Sequence, residues 1–265
     1  MKFATVKGER HEAARGLLGN CEACGSLMIA KCGTLKAWHW AHQAKRVCDP
    51  WWENETEWHR AWKNEFPSNW QEVVHRAEDG ERHIADVKTD DGWVIEFQHS
   101  YLKPEERQAR NAFYQKLVWV VDGTRRKKDG EHFLKAIRAG KPLDADLLIT
   151  RIPFPEQSAL LREWGDTKAP VLFDLGGSPW LWWLFPKSPN GRVYVAPFSR
   201  ARFLDAHRPG GTDVTTRFLA LVENFEKCIT NIESPVRTQT RSQAIPQALP
   251  RSMNPLLRRR SRKRL

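Results

Sequence analysis

The stretch GERHIADVKTDDGWVIEFQHS, residues 80–100, reads as two short strands joined by a turn, and it sets Asp86, Glu96 and Gln98 among branched and aromatic residues. Burying charge without a partner is costly, so the fold around this hairpin has to supply one. With Asp90-Asp91-Gly92 as a three-residue loop and Gly92 left-handed, residue 89 falls opposite 93 and residue 86 opposite 96. Directly opposed residues share a face, and the strand period of two adds Gln98 to it while Ile95 and Phe97 point the other way, into a core. A two-residue Asp91-Gly92 turn would shift the register by one and separate the acids. Opposed carboxylates repel, and a hard divalent cation such as Mg2+ or Mn2+, which takes oxygen ligands and keeps some of its water, relieves that repulsion. Such a cation polarises a phosphoryl group and generates hydroxide, so the chemistry implied is phosphodiester hydrolysis. Taken alone, the same spacing favours a solvated sheet face.

The neighbouring segments extend the pattern. Residues 53–66, ENETEWHRAWKNEF, carry Trp58, Trp62 and Phe66 at four-residue steps and predict a helix with one buried face. QEVVHR (71–76), RHIADVKT (82–89) and GWVIEFQ (92–98) predict three strands separated by EDG and DDG turns. Pro104 suits the first position of a helix with Glu105 and Glu106 in its first turn, and KLVWVVD (116–122) predicts a strand ended by Gly123. The succession αβββαβ implies a mixed α+β protein with a parallel, right-handed last crossover. Further on, APVLFDLGG (169–177), PWLWWLFP (179–186) and RVYVAPFSR (192–200) predict a three-stranded meander, and residues 212–229 an amphipathic helix behind it. Four parts follow: a Cys/His module (1–48), the αβββαβ block (49–125), a Trp-rich α+β accessory domain (145–232) and a disordered Arg-rich tail (235–265).

Composition bounds the function. The 265 residues are 40% hydrophobic, enough for one substantial core or two small ones. The most apolar run, Pro179 to Phe185, is far shorter than the roughly 20 residues that cross a bilayer, and the N-terminus lacks the apolar region of a signal peptide. A cytoplasmic location without membrane attachment is therefore expected, and five cysteines, an odd number, suit a reducing compartment. Of the net charge of +11, nine basic residues stand in 235–265 without an acid, which leaves +2 for residues 1–234. The tail is thus a salt-dependent binder of phosphate backbones or merely a solubilising extension, while any basic groove on the body must come from local arrangement.

Cys21-Glu-Ala-Cys24 followed by His39-Trp-Ala-His42 offers four soft-to-borderline ligands in two tight pairs, which fits a structural, tetrahedral Zn2+ with no open position. Cys32 and Cys48 are possible substitutes for one histidine. The segment between the pairs reads as strand-turn-strand and would bring them together. The WLWW run (180–183) could stack bases, but alternation of its residues on two covered faces favours core packing.

The ordered set CEAC, HWAH, ETEWH with Lys63, RHIADV, IEFQHS and ERQARNAFYQKLVWVVD resembles the competence protein CoiA-like family within the PD-(D/E)XK nuclease superfamily, over about residues 18–123. The resemblance implies a restriction-endonuclease-like core in which Asp86 and Glu96 hold Mg2+ or Mn2+, Glu55 completes the acidic cluster and His59 joins the site. It puts Gln98 at the position usually held by lysine; glutamine can orient a water but is neither a cation nor a base, and Lys63 would supply the missing charge. Lys63, Arg82, Arg107 and Arg110 are the candidate phosphate contacts. The function implied is a Mg2+-dependent deoxyribonuclease acting on single-stranded DNA or recombination intermediates, linked to competence, recombination or defence against foreign DNA, with protein partners in those processes. Its rival is a non-catalytic DNA-binding accessory factor on a degenerate nuclease fold, and an RNA-directed activity is a third reading.

Overall fold

The protein is described from a computed structural model that covers residues 1–44, 48–49, 51, 55–78, 80–144, 148–185 and 191–209. The expected helix over 212–229 and the Arg-rich tail over 235–265 lie outside these residues. The fold is mixed α+β and divides into two compact units, one built from Met1–Asp122 with residues 207–209, the other beginning at Gly123 and running to Ala206. The Cys/His module and the αβββαβ block thus share the first unit.

The first unit opens with an antiparallel sheet of five strands, β1 (Phe3–Val6), β2 (Glu9–Glu12), β3 (Leu18–Asn20), β4 (Leu27–Lys31) and β5 (His39–His42), in the order β2-β1-β3-β4-β5. Lys7 and Gly8, at φ 51° and 90°, form a two-residue turn whose left-handed backbone matches the twist of the β1–β2 hairpin. The sequence reading anticipated only β4 and β5, because β1–β3 are three or four residues long and carry no alternation strong enough to register. Their buried face is small, built on Ala4, Ala13, Ala23, Met28 and Trp40 around Cys21 and Cys48.

Helix α1 (Glu57–Lys63) follows, then β6 (Gln71–Arg76), β7 (Arg82–Lys88), β8 (Val94–Gln98), α2 (Pro104–Phe113) and β9 (Leu117–Asp122), in the αβββαβ order expected. The strands lie in the order β9-β8-β7-β6, with β8 and β9 parallel and the other pairs antiparallel. Thr56 caps α1 in a capping box with His59, so the helix starts after Glu55 rather than containing it. Trp58, Trp62 and Phe66 converge on Phe97 of β8, with ring centroids 6.3, 5.5 and 6.2 Å away, which makes the four-residue stripe the contact between helix and sheet. In the β7–β8 hairpin Gly92 sits at φ 80°, Thr89 N–H donates to Trp93 O at 2.8 Å, and Val87 pairs with Ile95. This is the three-residue register, with Asp86 level with Glu96.

The second unit contains α3 (Asp129–Arg138), β10 (Lys141–Asp144), β11 (Ile149–Ile152), α4 (Ala159–Trp164), β12 (Val171–Asp174), β13 (Trp180–Leu184), β14 (Val193–Ser199) and α5 (Arg200–Ala206). Its strands are antiparallel in the order β10-β11-β14-β13-β12, and β12, β13 and β14 form the expected meander. Leu181 through Leu184 are all buried: Trp182 meets Phe133 of α3 from one side, while Trp183 stacks on Phe185 at 4.2 Å. Trp182 and Trp183 are core residues, closed to a nucleobase. Arg125 and Arg126, in the basic run after β9, are engaged by Glu163 and Asp129 within this unit.

Candidate functional site

Two polar clusters stand out in the first unit. In the first, Cys21, Cys24, His42 and Cys48 bring their ligand atoms within 4.8 Å of one another. Cys21 and Cys48 Sγ are 3.9 Å apart, and Cys24 and Cys48 Sγ are each 3.4 Å from His42 Nε2. A tetrahedron with Zn–S of about 2.3 Å and Zn–N of about 2.0 Å has edges of roughly 3.8 Å and 3.5 Å, so the cluster can hold a structural metal such as zinc. Burial pushes the Cys21 thiol up to about 12. At Cys24 burial opposes ionisation, but hydrogen bonds from Ser26 and then His42 bring the thiol down to about 6.

The ligand set corrects the sequence expectation at one position: Cys48, one of the two cysteines held open as a substitute for a histidine, takes the place given to His39. In a β-strand, residues three apart face opposite sides, so the two histidines of His39-Trp-Ala-His42 cannot converge once the segment is extended. His42 shares its side with buried Trp40, while His39 turns its Nδ1 to Ala37 O at 2.8 Å. Cys32 packs against the same apolar cluster without joining the ligands.

The second cluster is a row of three acids across three strands. The register pairing Gln71 with Val87 and Val73 with Ala85 sets Glu72 level with Asp86, and the next register sets Asp86 level with Glu96. The β7–β8 ladder is bridged by side chains at this level: Phe97 N–H donates to Asp86 Oδ2 at 3.0 Å, and Asp86 N–H to Glu96 Oε1 at 3.4 Å. Two buried cations answer the charge. Lys63 Nζ from α1 lies 2.9 Å from Glu55 Oε2, 2.9 Å from Glu72 Oε1 and 4.0 Å from Asp86 Oδ1. Arg110 from α2 donates to Glu96 Oε2 at 2.8 Å and to Glu106 Oε1 at 2.6 Å. Glu72, at φ 50°, turns its carboxylate toward the start of β1 and accepts the N–H groups of Lys2 and Phe3.

This arrangement relocates several residues expected to meet DNA. Lys63, Arg107 and Arg110 are 2%, 3% and 6% exposed, so they serve the interior; pairing with the acids is what makes burial of Lys63 and Arg110 tolerable. Arg82 is half-exposed, makes no ion pair among the described residues, and alone of the four keeps a surface from which to reach a phosphate. Glu55, though outside the helix, is brought to Lys63, and its Oε1 is buried with no hydrogen-bond partner and Arg60 Nε 3.7 Å away. His59, 4% exposed, is held by Thr56 through Nδ1 at 2.8 Å, on α1 one turn before Lys63. Gln98 Nε2 donates to Ser100 O at 3.1 Å. Sequence reasoning missed Glu72, although extending the hairpin register from the EDG turn would have placed it opposite Asp86.

Crowding of the acids perturbs them. Burial first, and then the charge of Asp86, push Glu96 up to about 8 in spite of Arg110; burial likewise raises Asp86 against the pull of Lys63. An acid whose folded-state value is raised binds its proton more tightly when folded, so its contribution to stability is full below its ordinary 4.5 and is lost as pH rises through about 8. In urea unfolding at pH 5 and pH 8.5, the wild type is therefore expected to lose more stability across the interval than Glu96→Gln. Equal losses would show that Glu96 is ionised throughout.

Comparison of the chain with profiles of known protein families, with curated proteins and with solved structures finds no match.

Proposed function

We propose that the first unit is a metal-dependent phosphodiesterase acting on DNA, with its reactive centre at the Asp86–Glu96 pair. The observation that carries this reading is the pair itself: two carboxylates held level across a strand junction, both with raised proton affinity, and one of them, Asp86, a quarter exposed. Perturbed acids gathered at a reachable point are the mark of a site under chemical demand. The donor chemistry fits a hard cation. Asp86, Glu96 and Glu55 offer only oxygen, and Glu55 Oε1 is a buried acceptor without a donor. When bound, Mg2+ or Mn2+ would supply Lewis acidity and a hydroxide nucleophile.

The chain's own residues do the remaining work. Lys63, 4.0 Å from Asp86, places on a helix the positive charge that the resemblance to PD-(D/E)XK nucleases would put at Gln98. Arg110 fixes the rotamer of Glu96, and His59 lies on α1 one turn before Lys63. Arg82 and the basic residues of 235–265 supply charge for the DNA backbone. The resemblance to the CoiA-like family favours single-stranded DNA or recombination intermediates, a cytoplasmic setting, and work in competence, recombination or defence with partners from those processes. A second reading, a DNA-binding factor without catalysis, is favoured by Gln98, which carries no charge and spends its amide on Ser100.

The test is cleavage of labelled single- and double-stranded DNA with Mg2+, Mn2+ or a chelator. Metal-dependent cutting that Asp86→Ala lowers by ~10²-fold or more is the expected result, on the scale by which loss of groups at a metal site reduces function. Binding without cutting by the intact chain would leave the second reading.

A further inference from the structure

We infer that Trp51 is a positioning residue of the acidic site and that, with Asp49, it ties that site to the metal cluster; the inference deepens the reading of the first unit as a phosphodiesterase and rests on it. Arg110 reaches the row of acids with one arm of its fork: Nη1 donates to Glu96 Oε2 at 2.8 Å. The other arm, Nη2, donates to Glu106 Oε1 at 2.6 Å and to the main-chain carbonyl of Trp51 at 2.5 Å. A guanidinium is planar and rigid, so fixing Nη2 aims Nη1. Glu106 is a weak constraint, since it stands one turn away on the same helix with 32% of its side chain exposed. Trp51 holds the arginine from outside α2, and its ring lies 5.5 Å from the guanidinium carbon.

Trp51 is itself held in place. Its indole stacks on the His83 ring of β7, 9° from parallel, and meets Phe113 at the end of α2 edge-on, with centroids 5.5 Å apart. Its N–H donates to Asp49 Oδ1 at 2.9 Å. The Asp49 carboxylate grips the same strand: Oδ2 accepts Ile84 N–H at 3.0 Å, and Oδ1 lies 3.1 Å from His83 Nδ1. Asp49 directly follows Cys48, whose Sγ is 3.4 Å from His42 Nε2 and 3.9 Å from Cys21 Sγ. An unbroken run of short contacts thus leads from the metal cluster through Asp49, Trp51 and Arg110 to Glu96. Three residue steps span at most about 11 Å, so anchoring Cys48 confines the Trp51 carbonyl that Arg110 needs. Without the metal Cys48 loses its anchor, and the arm on Glu96 loses its support. Zinc is then structural for its own sheet and positional for the acids, whose orientation by outer partners is worth about 10–100-fold in metal affinity or activity.

The experiment uses the full, zinc-loaded chain and measures Mn2+ affinity, kcat and KM for DNA cleavage, and 15N relaxation of the Arg110 guanidinium. The variants are Trp51→Leu, Trp51→Phe, Asp49→Asn, Arg110→Lys, the Trp51→Leu/Arg110→Lys double and Asp86→Ala, each checked for zinc content and thermal melting. Trp51→Leu is expected to keep its zinc, to lose about 10–100-fold in Mn2+ affinity and kcat at nearly constant KM, and to free the guanidinium to rotate. Trp51→Phe, which keeps a ring to stack on His83, should recover most of the loss. The double variant should match Arg110→Lys alone, because both changes act through one contact. Asp49→Asn leaves one acceptor oxygen where the carboxylate offers two, and should mobilise Arg110 with zinc still bound; withdrawing zinc from the wild type should do the same. A folded Trp51→Leu with wild-type Mn2+ affinity and a rigid Arg110 overturns the inference, and the phosphodiesterase reading then stands if Asp86→Ala is inactive. Additive losses in the double variant overturn it too, since Trp51 would then act on stability alone. If Trp51→Leu does not fold, Asp49→Asn decides by the same readings. If the wild type neither binds Mn2+ nor cuts DNA, the phosphodiesterase reading falls, while the Arg110 relaxation still judges the tie between the cluster and Glu96.

Discussion

Replacing Cys48 with serine is expected to remove the metal from the N-terminal sheet and unfold it, whereas His39→Ala should leave metal and fold in place. Apart from Met28 and Trp40, the buried apolar residues around the cluster are Met1 and three alanines, too little surface to offset the chain entropy of five short strands. Structural zinc bound to Cys/His peptides contributes about 10–16 kcal/mol, more than a sheet of this size can replace. Metal analysis should find one zinc per chain in the wild type, His39→Ala and Cys32→Ser, and almost none in Cys21→Ser, Cys24→Ser, Cys48→Ser or His42→Ala. A Cys48→Ser protein that keeps its zinc while His39→Ala loses it would reverse the assignment. The damage should also travel. Asp49, next to Cys48 and 6% exposed, accepts Ile84 N–H at 3.0 Å and lies 3.1 Å from His83 Nδ1, clamping the strand that carries Asp86. Chelation should therefore speed hydrogen exchange at Ile84 as well as in β4 and β5.

What could be read from the chain was local. The turn chemistry of Asp90-Asp91-Gly92 fixed the hairpin register, and with it the Asp86–Glu96 pairing, because only glycine takes φ 80° there without strain. The Trp58, Trp62, Phe66 stripe and the alternation through 180–185 each announced which faces would be covered. The readings that failed depended on something the local pattern does not carry. His39 and His42 looked like a ligand pair by proximity, but strand parity separates them, and the fourth ligand is Cys48, which the sequence offered only as a substitute alongside Cys32 and without a reason to choose it.

The charged residues failed for a related reason. Lysine and arginine on a predicted helix are read as solvent-facing, since an unpaired buried charge is prohibitive. That prior yields when the sheet behind the helix offers a carboxylate of its own. Glu72 and Asp86, joined by Glu55 from just before α1, supply it to Lys63, and Glu96 supplies it to Arg110, so two of the four residues read as DNA-facing are the counter-charges of the acidic row. The register from the EDG turn would have placed Glu72 opposite Asp86; what no strand pattern shows is that its left-handed backbone turns the carboxylate toward the N–H groups of Lys2 and Phe3.

The same geometry makes Lys63→Met the most destabilising change expected outside the metal cluster. Burial favours the neutral amine, yet Glu72 first, then Glu55 and Asp86, hold Lys63 protonated well above the ordinary lysine range. In return, burial resists ionisation of Glu72, but Lys63 and then the N-terminal ammonium hold that carboxyl well below the ordinary carboxylate range. Methionine nearly matches the volume of lysine, so packing changes little and the loss is electrostatic. Removing one partner from a buried ion pair costs about 3–5 kcal/mol, and here three acids lose the same cation. An acid with a lowered value contributes stability present above its ordinary 4.5 and lost as pH falls below it. The deficit of Lys63→Met, measured by urea unfolding followed through tryptophan fluorescence, should therefore be largest near pH 7 and shrink towards pH 4 as the acids take up protons. Adding Glu72→Gln to Lys63→Met should recover part of the loss at pH 7, because it removes the carboxylate most dependent on the lysine. A deficit independent of pH and unchanged in the double variant would mean that Lys63 acts through its aliphatic stem alone, and that the acidic row is neutralised by its own protons rather than by the helix.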